Sequence, residues 1–239
     1  MASARPEHVL RVMSYNVHDL LDDRAAAVRV VRAVGPDVLC LQEVPRRLTT
    51  ELRLPSFARD CGLARHRGRL GTGGTAVLTA PRVVVHGVLR GRLRVRFPDR
   101  TRGYAAATVS LQAGGPSGPA VTVVSVHLGL RASERARHAA AVLAALDGGG
   151  GVGDRAVIAG DLNEGPGGTA YDLIAARYAP VSGDAPTFPA RRPHTALDVV
   201  FAGPGLQVVR SAPTHVDERD LEAGSDHRPV WVDLDPTAA

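Results

Sequence analysis

The strongest constraint on how this chain can fold is a series of short, β-rich apolar runs that alternate with longer helical patterns. Val9–Tyr15, Val38–Leu41, Thr75–Thr79, Val83–Val88, Arg90–Phe97, Tyr104–Leu111, Ala120–Val126, Ala156–Ala159, Val199–Ala202, Leu206–Ser211 and His227–Val232 read as strands. Between them, Asp22-Asp23 caps a helix that runs to about Val34 and is stopped by Gly35-Pro36. A weaker helix follows Pro45, and Ser133–Leu146 is an alanine-rich helix closed by the Gly148–Gly151 loop. This order predicts a mixed α/β protein. With no internal repeat and no long linker, one compact domain over residues 1–239 is expected.

Composition narrows the ligand classes only slightly. The chain has 239 residues, with 29 basic residues against 24 acidic ones. Every basic residue is arginine, which points to codon bias, so the surplus charge argues only faintly for a phosphate-bearing partner. Cys40 and Cys61 are too few for a disulfide framework, and Cys40 reads as a small core residue. No apolar leader or membrane-length run is present, so a cytoplasmic location without stable membrane insertion is expected, and no protein partner is implied.

The informative positions are the polar residues that interrupt these strands. Asn16 and Glu43 follow the first two, His127 ends the run to Val126, and Asp161 and Asn163 follow Ala156–Ala159. Asp198 and the Asp226-His227 pair instead sit at strand starts. Crossover connections bring the carboxyl ends of parallel strands to one edge, and antiparallel strands bring their starts to the same edge. All these side chains then converge on one crevice. Carboxylates with an amide and without clustered cysteines suit a hard cation, Mg²⁺ or Mn²⁺. Histidines beside such a cation contact phosphoryl oxygens and move protons, and a buried aspartate can orient one imidazole. Phosphoester hydrolysis is the reaction class that fits.

Six motifs in order carry a family resemblance: Ser14-Tyr15-Asn16-Val17-His18, Leu41-Gln42-Glu43-Val44, Ser125-Val126-His127-Leu128, Gly160-Asp161-Leu162-Asn163, Leu197-Asp198-Val199-Val200-Phe201 and Gly224-Ser225-Asp226-His227-Arg228-Pro229-Val230. Together they resemble the endonuclease/exonuclease/phosphatase superfamily of metal-dependent phosphoesterases. The resemblance implies a four-layer α/β sandwich, two mostly antiparallel β-sheets packed face to face and flanked by helices. It implies that Asn16 and Glu43 hold Mg²⁺ or Mn²⁺, with Asp226 as a second-metal or outer ligand. By the same resemblance Asp161 and Asn163 position or activate the attacking water, and His227, oriented by Asp198, contacts the scissile phosphate and transfers a proton. His127 would donate to a phosphate oxygen, as in the nuclease and sphingomyelinase branches, where abasic-site endonucleases usually carry asparagine. Leu197-Asp198-Val199-Val200 departs from the commoner Ile-Asp-Tyr-Ile pattern but keeps the aspartate.

Other features bear on substrate. Arg90, Arg92, Arg94 and Arg96 alternate with apolar residues or glycine, which predicts four guanidinium groups on one strand face. That face reads either as a phosphate platform or as a solvated edge that blocks pairing, and the arginine-rich composition favours the second. Phe188 is placed to line the cleft, and His18 is a candidate substrate or metal neighbour. Gly71-Thr72-Gly73-Gly74 lacks the lysine of a phosphate-binding loop and reads as a turn. The segment before Asp198 lacks the tryptophan of abasic-site repair enzymes, and no exposed apolar hairpin of the kind used by membrane-associated lipid phosphodiesterases is evident. The expected activity is a phosphodiesterase acting on nucleic acid or a small phosphodiester. The alternatives are a phosphomonoesterase, a lipid phosphodiesterase, and a silent binding module of the same fold.

Overall fold

The computed structural model describes residues 5–45, 50–66, 73–115, 118–148 and 153–237. In chain order the elements are β1 (Leu10–Asn16), α1 (Arg24–Val34), β2 (Val38–Gln42), α2 (Thr50–Asp60), β3 (Ala64–Arg65), β4 (Ala76–Thr79), β5 (Val83–Leu93) and β6 (Arg102–Leu111). They continue with β7 (Val121–His127), α3 (Ala132–Asp147), β8 (Ala156–Asp161), α4 (Thr169–Ala175), β9 (Ala179–Pro180), β10 (Asp198–Ala202), β11 (Gln207–Val209), α5 (Glu218–Gly224) and β12 (Val230–Asp235). Local chemistry sets the boundaries of α1 as expected. The Asp23 carboxylate accepts the Ala25 and Ala26 amides at 2.8 and 3.1 Å, and Gly35 closes the helix with φ +59°.

The strands form two six-stranded sheets, ordered β11-β12-β1-β2-β4-β3 and β5-β6-β7-β8-β10-β9. Every named pairing is antiparallel except β1–β2 and β7–β8, which are parallel and joined through α1 and α3. One apolar cluster lies between the sheets and includes Leu10, Val12, Val38, Cys40, Val123, Val157, Ala159 and Val200. A second packs α1 and α2 against the outer face of the first sheet, through Met13, Leu39, Val31 and Phe57. A third packs α3 and α4 against the outer face of the second sheet, through Val124, Ile158, Leu143 and Ile174. This is the expected four-layer α/β sandwich of two mostly antiparallel sheets. Both cysteines are buried and unpaired, and among the described residues no helix is long and apolar enough to cross a membrane.

Alternation along each strand grades the inter-sheet space from apolar to polar. Residues of one parity face that space, so β1 contributes Leu10, Val12, Ser14 and Asn16 in turn. Likewise β7 contributes Val121, Val123, Ser125 and His127, and β8 contributes Val157, Ala159 and Asp161. Because β10 runs the other way, its first residue, Asp198, arrives at the same end. Hydroxyl and amide contacts bridge the sheets just below that end. The Ser125 hydroxyl donates to the Leu41 carbonyl at 2.9 Å, and Gln42 Nε2 donates to Ser125 Oγ at 3.1 Å. At the opposite end a buried ion network ties β1 to β12. Arg11 grips Asp233 with two bonds of 2.7 Å, and Asp37 accepts from Arg82, Arg5 and the Arg11 amide.

Two strand expectations are corrected. Val83–Val88 and Arg90–Phe97 are not successive strands: β5 is continuous through a bulge at Val85/Gly87, because β6 pairs along its whole length to Leu93↔Arg102. Arg90 and Arg92 therefore lie in the strand, whereas Arg94 and Arg96 lie beyond it, where the Arg94 carbonyl and Arg96 amide bond to α3. His227 does not begin a strand either. The chain around it pairs with residues 187–190, through Ala190 N to Asp226 O and Arg228 N to Thr187 O, and β12 starts only at Val230. The glycine-rich turn before β4 is described only from Gly73, and Gly71 and Thr72 lie outside the described residues.

Candidate active site

Strand register assembles the site. In the second sheet His127 is opposite Asp161, and Asp161 is opposite Asp198, so three polar side chains form one row across β7, β8 and β10. In the first sheet Asn16 pairs with Gln42, which sets Glu43 beside it. The two rows meet where Asn16 Nδ2 donates to Asp161 Oδ2 at 3.0 Å, and the Asn16 Oδ1 accepts the His18 amide at 3.1 Å.

Asp161 is the hub. Its Oδ1 accepts the Asn163 amide at 2.8 Å, and its Oδ2 lies 3.3 Å from His127 Nε2 and 3.9 Å from His227 Nε2. His127 Nε2 also lies 3.8 Å from Glu43 Oε1. Burial, reinforced by the Asp198 charge, raises the Asp161 carboxyl to about 6, against the pull of His227, the Asn163 amide and Asn16. His227 Nδ1 is 2.8 Å from Asp198 Oδ2, which also accepts the Thr187 hydroxyl at 2.6 Å. Burial by itself would depress the His227 imidazolium; the charge and hydrogen bond of Asp198, with Asp161 and Asp226 behind them, outweigh it and lift the group to about 10. The Phe188 ring packs on the His227 ring at a centroid distance of 4.8 Å, fixing the imidazole from its other side.

Backbone strain concentrates here. His18, Asp19, Leu20, Glu43 and Asn163 all have positive φ, from 42° to 54°. For residues other than glycine that conformation is uncommon and clusters at functional sites. Two motif glycines answer to packing. A Cβ on Gly160 would stand 2.0 Å from the Val126 carbonyl oxygen, and one on Gly224 would stand 2.8 Å from the Ala27 amide.

The structure therefore brings together Asn16, Glu43, His127, Asp161, Asn163, Asp198, His227 and Phe188. Asp226, expected as a second-metal or outer ligand, stands beside this group and acts on the His227 charge. It joins His18 and Asp22, whose ligand atoms lie within 4.8 Å of one another. His18 is held by Asp22 at 2.8 Å. Arg90 is turned away to the His66 carbonyl at 2.6 Å, and Arg92, Arg94 and Arg96 are exposed.

Sequence reasoning passed over four contributors. The buried Arg102 donates to the Leu128 carbonyl at 3.0 Å, which also accepts Asn163 Nδ2 at 3.1 Å. Arg100 reaches Asp19 at 2.5 Å and Glu43 at 3.7 Å. Thr187 supports Asp198, and Ser225 Oγ donates to the Asn16 carbonyl at 2.7 Å. Ser225 stands inside a motif already singled out and Thr187 directly precedes Phe188, whereas Arg100 and Arg102 carry no signal among 29 arginines.

The donor set fits a hard divalent cation. Glu43 and Asp161 offer carboxylate oxygens and Asn16 an amide oxygen, with no thiolate among them. Asp161, Asp198 and His227 also have ligand atoms within 4.8 Å of one another. Asp198 Oδ2 and His227 Nδ1 are engaged with each other, however, so their chemistry is that of an oriented imidazole.

Comparison with known proteins places this arrangement. The model of the endonuclease/exonuclease/phosphatase family matches residues 13–227. No curated protein matches the sequence. Among solved structures, an endonuclease/exonuclease/phosphatase protein from Bacteroides vulgatus is similar with a TM-score of 0.70 and 18% identity, over 95% of this chain and 98% of that one. The human Nocturnin catalytic domain, solved with a bound sulfate, has a TM-score of 0.68 and 20% identity, over 95% and 94%. ANGEL2, described as a 2′,3′-cyclic phosphatase, has a TM-score of 0.69 and 16% identity, over 95% of each chain. The chain belongs to the endonuclease/exonuclease/phosphatase family.

Proposed function

We propose that this chain is a divalent-metal-dependent phosphodiesterase or nuclease that uses Mg²⁺ or Mn²⁺. The observation that carries the reading is Asp161 set between two imidazoles, one of them held by Asp198. Glu43, Asn16 and Asp161 would hold the ion, which when bound would stabilise charge on the phosphoryl oxygens and leaving group. Asp161, its orientation set by the Asn163 amide and Asn16 Nδ2, accepts a hydrogen bond from the attacking water and aligns it. His127 donates to a non-bridging phosphoryl oxygen. His227, kept protonated by Asp198, lends positive charge to the phosphoryl group and has a proton to give.

Purified protein assayed with Mg²⁺, Mn²⁺ or chelator tests this reading. The substrates are bis(p-nitrophenyl) phosphate, p-nitrophenyl phosphate, 2′,3′-cyclic AMP, single-stranded and duplex DNA, RNA and sphingomyelin vesicles. Chelator-sensitive cleavage of a diester is expected. Turnover of the monoester alone would make it a phosphomonoesterase, turnover of lipid alone a lipid phosphodiesterase, and no turnover of any of them a binding module.

A further inference from the structure

The loop of residues 94–101, between β5 and β6, carries a ring that the fold leaves uncovered. Phe97 is 92% exposed, the highest value among the exposed large apolar side chains described. An aromatic side chain left in water forgoes the gain of burial, so its exposure on an ordered loop calls for a partner. The loop is ordered by several anchors. The Arg96 amide donates to Glu134 at 2.8 Å, His138 Nε2 donates to the Arg94 carbonyl at 2.7 Å, and Arg131 pairs with Asp99 at 3.0 Å. His138 Nδ1 accepts the Gly129 amide at 3.2 Å, which fixes the donor on Nε2. The far end reaches the active site, because Arg100 pairs with Asp19 and lies 3.7 Å from Glu43.

The charge on this loop is unspent. Arg94 and Arg96 are exposed and, among the described residues, their side chains have no ion-pair partner, whereas Asp99 is already engaged by Arg131. Phe97 and Arg100 are three positions apart, so their Cα atoms lie at most ~11 Å from each other. A strand whose phosphate lies beside Glu43 and Asp161, and which follows the loop past Arg100, would present one of its bases to the ring. Stacking needs an uncovered base face, which single strands offer and duplexes hide. A lipid surface fits less well, because the apolar tip is Phe97-Pro98 alone, set between Arg96 and Asp99.

We infer that loop 94–101 is a platform for single-stranded nucleic acid, on which Phe97 stacks a base while Arg94 and Arg96 hold neighbouring phosphates. The inference rests on the phosphodiesterase reading, since it names the substrate class of the same site. The test is binding of a short single-stranded oligonucleotide carrying one 2-aminopurine, followed by anisotropy and by fluorescence quenching, in chelator so that nothing is cleaved. Wild-type protein is expected to bind the single strand more tightly than the matching duplex and to quench the probe. Phe97→Ala should weaken binding roughly tenfold and abolish quenching. Phe97→Trp should restore both, and Phe97→Leu neither. The Arg94→Ala/Arg96→Ala double variant should flatten the slope of log affinity against log salt by about 1.4. Affinity of Phe97→Ala within about twofold of wild type, or rescue by leucine as good as by tryptophan, overturns the platform. So does Phe97-dependent binding to phosphatidylcholine–phosphatidylserine vesicles with unchanged oligonucleotide affinity, which would assign the loop to a lipid surface. The two readings fail separately. Phe97-dependent binding without metal-dependent cleavage removes the enzyme, and cleavage of bis(p-nitrophenyl) phosphate without Phe97-dependent binding removes the platform alone.

Discussion

Asp161 and Asp198 are direct cross-strand partners on β8 and β10, two buried carboxylates facing the same space. Like charges directly opposite each other destabilise a sheet. His227 resolves the conflict from outside both strands, with Nδ1 at 2.8 Å from Asp198 and Nε2 at 3.9 Å from Asp161. Asp198→Asn should therefore lower the His227 pKa from about 10 towards its ordinary value, visible by NMR titration of the imidazole. The same variant should reduce kcat on a diester at least ~100-fold while leaving the circular dichroism spectrum unchanged. An unshifted His227 would show that Asp198 does not hold its proton.

Stability should follow that proton. The folded His227 pKa is raised above its unfolded value near 6.5, so its contribution is fully present below about 6.5 and is lost as pH rises through about 10. Asp161, also raised, adds a loss of the same sign between about 3.8 and about 6. Urea denaturation of metal-free protein should show the gap between wild type and His227→Gln shrinking steadily on the alkaline side. A gap independent of pH there would mean that His227 is neutral in the folded state.

Glu43 stands at the rim of the cleft on a left-handed backbone, between His127 and Arg100. Glu43→Gln keeps the shape and removes the charge. Titration calorimetry with Mn²⁺ should show affinity weakened at least ~10-fold, and diester turnover at fixed metal should fall at least ~100-fold. Wild-type values for both measurements would remove Glu43 from the ion's ligands.

Far from the cleft, Arg11→Met should destabilise the protein by about 3–5 kcal/mol, because Asp233 and the Val34 carbonyl lose a buried donor. Activity per folded molecule should be unchanged. Chemical denaturation with a parallel assay separates the two effects.

Gly160→Ala tests the ladder that positions Asp161. With 2.0 Å between the new Cβ and the Val126 carbonyl oxygen, β7 and β8 must part. A loss of about 2 kcal/mol or more is expected, together with loss of metal affinity from a displaced Asp161. A variant as stable as wild type would show that β7 and β8 are not in close contact at Gly160.

Much of this was legible in the residues. The Asp23 cap, the Gly35 stop and the strand periodicities are decided by neighbours within about four positions, and they appear close to where they were read. The misreadings have a common origin in long-range pairing. The residues alone suggest two strands divided at Leu89, and only pairing with β6 carries β5 through that position. Phe97 read as the end of a strand and is an exposed loop residue, because α3 captures the backbone beside it.

The sequence by itself determined the chemical inventory. It supplied strands whose inward side chains turn polar at one end, and motifs containing Glu43, Asp161, Asn163 and the Ser225-Asp226-His227 triplet in order. Tertiary structure decided which of them touch. Asn16 meets Asp161 across 145 positions of chain, Asp226 turns to His18 and Asp22, and one arginine among many, Arg102, is buried behind the site. The physical reason is register. A one-residue slip in any strand would send its polar end to the opposite face, and register is held by sheet-on-sheet packing and by strands distant in sequence.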